Sequence, residues 1–586
     1  MTRIAVIEKE KCHPMACGGY LCIRVCPVNR TGQDCIVKGE DTKASINTEF
    51  CTGCGICPKK CPFDAIHIVN LPEALEKDPI HRYGENGFHL YSLPTPMFGK
   101  VVGVLGVNGI GKSTAIKILA GVMNPNLGKE KEDEAGYDEL IRYFKGTEAQ
   151  NFFEKVRDGK IRISYKPQQV ELIPKSFNGN VRELLSKVDE KGSMEEIADL
   201  LDLREFLETD ISKISGGELQ RVAIAATVLK DANMYIFDEP TSFLDIKQRI
   251  KVSKFIRKLA DEDTAVIVVE HDLIILDFMA DLVNIMYGEK GAYGIVSLPK
   301  PTKAGINVFL EGYLKEDNIR FRDSQIKFSP RQAGKDVEKP ALISWKGISK
   351  RMGDFHLSAE QGELKKRDVC GILGENGIGK TTFARILAGV VEKDSGEMDD
   401  TIKVSYKPQY LESESEEPVA SYLQDAVVKF ENQLIRPLNL NNLFDKKLSE
   451  LSGGELQKVS IARCLSQDAD LYLLDEPSAY LDVEQRLLIS KIMRDIMEVN
   501  LKSCLVVDHD LLFIDYLSDD IIVFDGEPAK HGEVKGPFPM SDGMNSFLSG
   551  LNITMRRDAE SNRPRINKPE SQMDRKQKSE GKLYYS

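Results

Sequence analysis

Long apolar runs are missing from this chain. Nowhere does it reach the roughly 18 uninterrupted apolar residues that a membrane-spanning helix needs. Its best apolar stretches, Val101 to Val107, Thr264 to Val269 and Val506 to Val507, are short, as buried parallel strands are. The opening Met1-Thr2-Arg3-Ile4 has no apolar signal core. A cytosolic protein with no membrane partner is expected, and not a transporter on its own. Positive charge is in deficit too. With 79 Lys and Arg against 91 Asp and Glu the net charge is −12, which argues against a surface that binds nucleic acid throughout. Sustained heptads, the mark of a long coiled coil, are absent. Cysteine is scarce beyond residue 61, where only three of the twelve lie.

What is present begins with size. A chain of 586 residues is too long for one core, and 41% hydrophobic with 29% charged residues describes a globular protein of several domains. The charge is uneven. Residues 300–335 hold eight Lys and Arg against four acids, and 551–586 hold nine against five. Either these are solvated linkers rich in lysine, or two basic segments meet a polyanion, for which RNA is the first candidate.

Nine cysteines within 61 residues point to metal in a cytosolic protein, not to disulfides. Cys51-x2-Cys54-x2-Cys57-x3-Cys61-Pro62 matches the bacterial ferredoxin run for a [4Fe–4S] cluster. Three close thiolates cap one face of the cube, while the fourth cysteine serves a second cluster. The partner run is Cys12-x4-Cys17-x4-Cys22-x3-Cys26-Pro27. Exchange of the fourth ligand assigns Cys51, Cys54, Cys57 and Cys26 to one cluster, and Cys12, Cys17, Cys22 and Cys61 to the other. Cys35 is left over as a non-ligand. Zinc would favour two separated Cys-x2-Cys pairs instead.

The remainder is a repeat. Gly106-Val107-Asn108-Gly109-Ile110-Gly111-Lys112-Ser113, followed by Thr114, recurs as Gly374-Glu375-Asn376-Gly377-Ile378-Gly379-Lys380-Thr381, followed by Thr382. Each follows an apolar strand and matches the P-loop pattern, whose glycines let backbone amides face phosphates at a helix N-terminus. Lys112 and Lys380 are expected on the β/γ-phosphates, Ser113 and Thr381 on Mg²⁺. Ile214-Ser215-Gly216-Gly217-Glu218-Leu219-Gln220-Arg221 recurs as Leu451-Ser452-Gly453-Gly454-Glu455-Leu456-Gln457-Lys458. This run resembles the signature of ABC ATPases, which closes over the ATP held by the opposite domain. Two copies imply two domains facing each other.

Met234 to Glu239 and Leu471 to Glu476 look like Walker B strands, with Asp238 and Asp475 toward Mg²⁺ and Glu239 and Glu476 polarising the attacking water. His271 and His509 are similar to the family's switch histidine. Gln168 and Gln409, each in Tyr-Lys-Pro-Gln, resemble the Q-loop at the Mg²⁺. Ser242 to Asp245 and Ala479 to Asp482 resemble D-loops. Tyr83 and Phe88, and Phe355 in the second copy, precede the P-loops at a distance suited to stacking on adenine, or to packing the core.

Ser215 and Ser452 are 237 apart, as are Asp238 and Asp475, whereas Lys112 and Lys380 are 268 apart. The first copy therefore carries an insertion, placed at 137–159. There Tyr137, Leu140, Ile141 and Phe144 share a helical face, and Thr147 with Gln150 suggests a capping box opening a second helix. Past the ATPase motifs, Gly305 to Gly312 matches Gly543 to Gly550, read as paired hinge elements; residues from about 569 are expected to fray.

Two ferredoxin-like clusters before twin cassettes resemble one family, the ABC subfamily E ATPases or RNase L inhibitors. The resemblance implies an α/β chain of two ABC domains arranged head-to-tail after a ferredoxin-like α+β domain. Expected bounds are 1–73 for the cluster domain, 74–295 for the first cassette, 296–335 for a hinge, 336–528 for the second cassette and 529–586 for a second hinge with the tail. It also implies ATP, Mg²⁺ and two [4Fe–4S] clusters, and ribosome recycling with a class-one release factor or Pelota-like partner. The implied factor acts as a monomer and stays on the small subunit, linked to initiation, with the insertion and hinges touching ribosomal RNA. A redox enzyme gated by ATP, a transporter's ATPase subunit and a DNA-repair ATPase are the competing readings.

Overall fold

The computed structural model describes residues 3–7, 11–39, 42–47, 50–63, 65–70, 78–84, 87–129, 135–316, 318–322, 325–326, 328, 339–398, 402–409 and 415–584. The expected boundaries at 73–74 and 335–336, and the basic residues Lys327, Arg331 and Lys335, lie outside them. No helix among the described residues is long and apolar enough to cross a membrane.

The N-terminal unit pairs Arg3–Ile7 antiparallel with Ile66–Asn70, beside a second hairpin of Ile36–Lys38 and Ala44–Ile46. Short helices Leu21–Val25 and Ile56–Lys60 each follow a left-handed residue, Tyr20 or Gly55, and end in an extended cysteine, Cys26 or Cys61. Its core is small, and Cys26, Cys35 and Cys57 are buried in it beside Ala5, Ile36 and Ile66.

Each cassette is built on a twisted sheet. In the first, Leu282–Glu289, Val101–Leu105, Ala265–Val269, Met234–Asp238 and Ile163–Lys166 lie side by side, all parallel. The second repeats the order with Asp520–Glu527, Val369–Leu373, Ser503–Val507, Leu471–Asp475 and Val404–Lys407. Helices cover both faces, so the central strands are buried at every position and read as unbroken apolar runs. Strand ends then meet helix starts at one sheet edge, where the P-loops and the acidic Walker B ends lie. His531–Pro539 pairs with both Asp520–Glu527 and Phe355–Lys365, so the second sheet continues beyond the expected limit of 528.

The insertion is a helical pair, Tyr137–Tyr143 and Glu148–Arg157. Leu140, Phe152 and Phe153 are buried, while Tyr137 stays exposed. The expected capping box is not formed. Thr147 Oγ1 donates to the Phe144 carbonyl and Gln150 Oε1 accepts from the Gly146 amide, so the hydroxyl is engaged backwards, away from the new helix.

The hinge match holds as two helices, Thr302–Glu311 and Met540–Leu551. Gly305 lies against Val283 and Gly543 against Ile521, where a Cβ would come within 2.2 and 2.6 Å of the neighbour. The tail does not fray. Helix Gln572–Glu580 is capped by Ser571, Gln577 Nε2 donates to the Met555 carbonyl at 2.9 Å, and Tyr584 is buried with its hydroxyl on Asp515. Polar composition misleads here because Asp574 and Gln577 turn inward onto Thr554, Asn567 and the Met555 carbonyl.

Several basic side chains of the two hinges also turn inward. Asp277 of the first cassette receives Arg563 Nη2 and Arg565 Nε, each at 3.0 Å, and Arg563 is fully buried. Arg322 meets Glu484 of the second cassette at 3.2 Å, and the two hinges join where Asn307 Nδ2 donates to Asp558 at 3.2 Å. Burial alone would raise the Asp558 carboxyl, but the Ser561 and Glu560 amides, Asn307 and Lys303 hold it below the usual carboxylate range.

Asp277→Ala would strand a buried guanidinium, a loss of about 3–5 kcal/mol to be read by denaturant unfolding. Because the Asp558 value is depressed on folding, its stabilisation is fully present above about pH 4 and is lost progressively as the pH falls toward the depressed folded-state value. The difference in melting midpoint between the wild type and Asp558→Asn should therefore be largest near about pH 7 and shrink steadily as the pH falls below about 4.

Candidate functional site

Both P-loops rest on left-handed glycines, Gly109 (φ 80°) and Gly111 (φ 87°), Gly377 (φ 75°) and Gly379 (φ 91°). The last glycine of each begins a helix, Lys112–Leu119 or Lys380–Leu387, so unpaired amides and the positive helix end face the same space. Phe88 packs on Gly111, where a Cβ would lie 2.4 Å from its ring, and Phe355 packs likewise on Gly379. Tyr83 reaches Thr114, hydroxyl to hydroxyl, at 3.2 Å. Lys112 Nζ donates to the Gly106 and Val107 carbonyls at 2.9 and 2.8 Å, and Lys380 Nζ to those of Gly374 and Glu375 at 3.1 and 2.5 Å. Burial lowers both ammonium groups to about 8, against the pull of nearby carboxylates. Thr381 Oγ1 donates to Asp475 at 2.8 Å; Ser113 and Thr382 stand half-buried at the matching helix starts.

Around each P-loop the expected acidic and polar residues converge. Asp238 and Asp475 are buried at their strand ends, and Glu239 and Glu476 follow in the left-handed conformation, both at φ 47°. Such a conformation costs roughly 1–3 kcal/mol for a residue with a Cβ, and it recurs in register. Gln168 Nε2 donates to Glu239 at 2.8 Å, Gln409 Nε2 to Glu476 at 2.7 Å. His271 Nε2 lies 3.4 Å from Glu239, and His509 Nε2 lies 3.7 Å from Glu476. The two glutamates differ. Burial pushes each up, but His271, Lys112 and Ser242 bring Glu239 down to about 2, while Asp475 helps keep Glu476 raised.

Each signature serine caps a helix. Ser215 opens Gly216–Val228 and Ser452 opens Gly453–Ser466, each in a capping box with Glu218 or Glu455. A Cβ on Gly217 would meet the Phe243 carbonyl at 3.1 Å, and one on Gly454 the Tyr480 carbonyl at 3.0 Å, so the loops sit directly on the D-loops. The D-loops reach the other cassette. Asp245 Oδ2 accepts the Asn376 amide at 3.0 Å, and Asp482 Oδ2 accepts the Asn108 amide at 3.4 Å. The other oxygen of each aspartate caps its own helix, on Gln248 or Gln485. Lys247 adds an ion pair to Glu375 at 2.7 Å. Head-to-tail assembly is thus drawn in hydrogen bonds.

Sequence reasoning missed a buried charge group between the halves. Arg249 pairs with Asp272 at 3.1 Å and reaches the His509 carbonyl, while Arg486 pairs with Asp510. Burial, then the facing Asp510, pushes the Asp272 carboxyl up to about 6. Its signal was available: Arg249 and Arg486 are 237 apart, in register with the signatures.

In the N-terminal unit one small cavity is walled by Cys26, Cys51, Cys54 and Cys57, the set that ligand exchange assigned together. Cys35, set aside as the leftover, stands on the same wall, with its thiol toward the Asn47 carbonyl at 3.9 Å. Burial, with Cys51, Cys54 and Cys26 adding, pushes the Cys57 thiol up to about 12. Cys22 rises to about 11 through burial and its neighbours Cys12 and Cys17. Cys51 accepts the Ala5 amide at 3.2 Å, and Cys61 accepts the Ala65 amide at 3.4 Å. Among the described residues no three such side chains converge on a single-ion point. Thiols around a space, with amides aimed at sulfur, fit an iron–sulfur cube better than tetrahedral zinc.

Comparison with known proteins agrees with this geometry. The ABC transporter family model matches residues 97–242 and 357–479, a possible Fer4-like domain in RNase L inhibitor matches 2–34, and a 4Fe-4S binding domain matches 44–67. ABC transporter E family member 1 of Arabidopsis thaliana is 45% identical, over 100% of this chain and 99% of its own. Translation initiation factor RLI1 of Saccharomyces cerevisiae is 43% identical, over 100% and 98%. A solved structure, a model of ribosome-bound archaeal Pelota and ABCE1, superposes with a TM-score of 0.93 at 52% identity, covering 100% of this chain and 99% of that one. The protein is an ATPase that uses ATP and Mg²⁺ and carries [4Fe–4S] clusters. With relatives matched from end to end and both kinds of domain in the same order, the chain belongs to the E family of ABC proteins, the family of the RNase L inhibitor.

Proposed function

We propose that this ATPase is a ribosome recycling factor of the cytoplasm. In this reading it binds a terminated or stalled ribosome beside a class-one release factor or Pelota-like protein, parts the subunits, and stays on the small subunit into initiation. The likeness to a ribosome-bound assembly of Pelota and ABCE1, and to translation factor RLI1, supports the partners. One observation carries the mechanism: each P-loop amide is held by an aspartate of the opposite cassette.

Lys112 and Lys380, with the amides of Gly106, Asn108, Gly109 and Gly111 or Gly374, Asn376, Gly377 and Gly379, would hold the phosphates. Ser113, Gln168 and Asp238 would hold Mg²⁺ in one site, Thr381, Gln409 and Asp475 in the other. Glu239 with His271, and Glu476 with His509, would orient the attacking water. Ser452, Gly454 and Glu455 would complete the site of the first P-loop, and Ser215, Gly217 and Glu218 that of the second. Tyr83, Phe88 and Phe355 would bound the adenine, with Thr114 and Thr382 beside them. Bound ATP then favours the closed pair because it is gripped from both halves, and hydrolysis removes that preference. Closure moves the N-terminal unit, while the inserted helices and the exposed hinge lysines meet ribosomal RNA.

Exchange of the fourth cysteine assigns Cys26, Cys51, Cys54 and Cys57 to one cluster, supported by their shared cavity, and Cys12, Cys17, Cys22 and Cys61 to the other. Anaerobic analysis should find about eight irons per chain, about four after Cys54→Ser, and about eight after Cys35→Ser. Glu239→Gln with Glu476→Gln should cut turnover by about 10²-fold or more and retain unhydrolysed ATP, measured by single-turnover assay. Sedimentation with ribosomes tests the wider reading: co-migration with small subunits is expected with a non-hydrolysable ATP analogue, and its absence in every nucleotide condition would reject the ribosomal role.

A further inference from the structure

Two buried lysines have no part in the motifs. Lys166 and Lys407 each stand in Tyr-Lys-Pro-Gln, at the end of the strand that leads to the glutamine beside the catalytic carboxylate. Lys166 is fully buried and Lys407 nearly so. A site that needed only packing would hold methionine or leucine, since an ammonium is costly to bury without partners.

Both have partners, and one is equivalent in the two copies. Lys166 Nζ donates to the Asp238 carbonyl at 2.9 Å and the Glu239 carbonyl at 3.3 Å. Lys407 Nζ donates to the Asp475 carbonyl at 2.7 Å and to the carbonyl of its neighbour Pro408 at 3.1 Å. The Asp238, Glu239 and Asp475 carbonyls belong to the turn in which Glu239 and Glu476 are forced to φ 47°. From the other side, Gln220 Nε2 and Gln457 Nε2, on the signature helices, donate to the Glu239 and Glu476 carbonyls at 2.6 and 2.7 Å. Two residues beyond each lysine, Gln168 or Gln409 holds the glutamate's side chain. One strand therefore grips the same turn at its backbone and at its carboxylate.

We propose that Lys166 and Lys407 are positioning residues for ATP hydrolysis: each pins the strained Asp–Glu turn so that the glutamate carboxylate stays aimed at the attacking water. Their bonds go to backbone carbonyls, so they would act through Glu239 and Glu476, and the proposal rests on the catalytic assignment above. The turn is shared with the signature helix, whose N-terminus faces the other ATP, so the clamp also ties each glutamate to the site across the interface.

The test uses the full-length, cluster-loaded chain. Lys166→Met with Lys407→Met keeps side-chain length and removes every donor, whereas Lys166→Gln with Lys407→Gln keeps amide donors without charge. The methionine pair is expected to lower kcat about tenfold or more, with KM for MgATP and ADP affinity within about threefold and the melting midpoint unchanged or higher. The glutamine pair should recover to within about threefold of wild-type kcat. A methionine pair with kcat within about twofold of wild type overturns the proposal. So does a loss of kcat that follows a falling midpoint and is not recovered by glutamine. If the methionine pair does not fold, the single variants are read in the same way. If those also fail while the glutamine pair is fully active, the lysines are structural and the proposal falls. Glu239→Gln with Glu476→Gln is measured alongside: retained turnover there defeats the catalytic assignment, whereas turnover lost there but kept in the methionine pair defeats the lysine proposal alone.

Discussion

Asp245 and Asp482 each divide two oxygens between two obligations. One oxygen caps a helix of its own cassette, and the other receives a P-loop amide of the opposite cassette. A carboxylate anchored this way cannot move without disturbing either the helix it caps or the phosphate loop it meets. Everything that makes the chain a two-site machine passes through this geometry. The signature glycines lie on the D-loop carbonyls, and the Phe243 carbonyl in turn accepts from Asn376 across the interface at 3.5 Å. A residue with a larger side chain at Gly217 or Gly454 would press the signature loop against the D-loop of its own cassette, the loop that carries the contact to the other half.

The interface between the cassettes carries buried charge. Arg249, Asp272, Arg486 and Asp510 bring two buried ion pairs face to face, next to the switch histidines. Like charges that approach as the halves join resist closure, and the arginines offset them only in good geometry. Behind it, the hinges bury their arginines on Asp277 and Glu484, so each lobe is held by a segment that belongs to the other end of the chain. Much of the positive charge that the hinges carry in sequence is neutralised there, and the lysines left exposed are what remains for an anionic partner.

The two sites are not copies. His271 sits closer to its glutamate than His509 does, burial with Lys380 and Arg249 holds His509 well below the usual histidine range, and the glutamates shift in opposite directions. Thr381 bonds Asp475 at one metal site, and Lys290 lies along Gly109 at the other phosphate loop. Equal motifs in unequal surroundings give two sites that need not fire together.

Sequence by itself determined the parts. Buried parallel strands read as apolar runs because both faces are covered, the glycine-rich loops because amides must approach phosphate, and the first inserted helix because Tyr137, Leu140, Ile141 and Phe144 fall at helical spacing. Tertiary structure alone decided how the parts meet. Asn108 and Asp482 are 374 residues apart, Asn376 and Asp245 are 131 apart, and no local period marks such a pair. It likewise placed Cys35 on the cluster wall, folded the polar tail onto Asp515, and turned Lys166 and Lys407 inward on the catalytic turn. A charged side chain reads as surface until the fold supplies partners that make its burial tolerable.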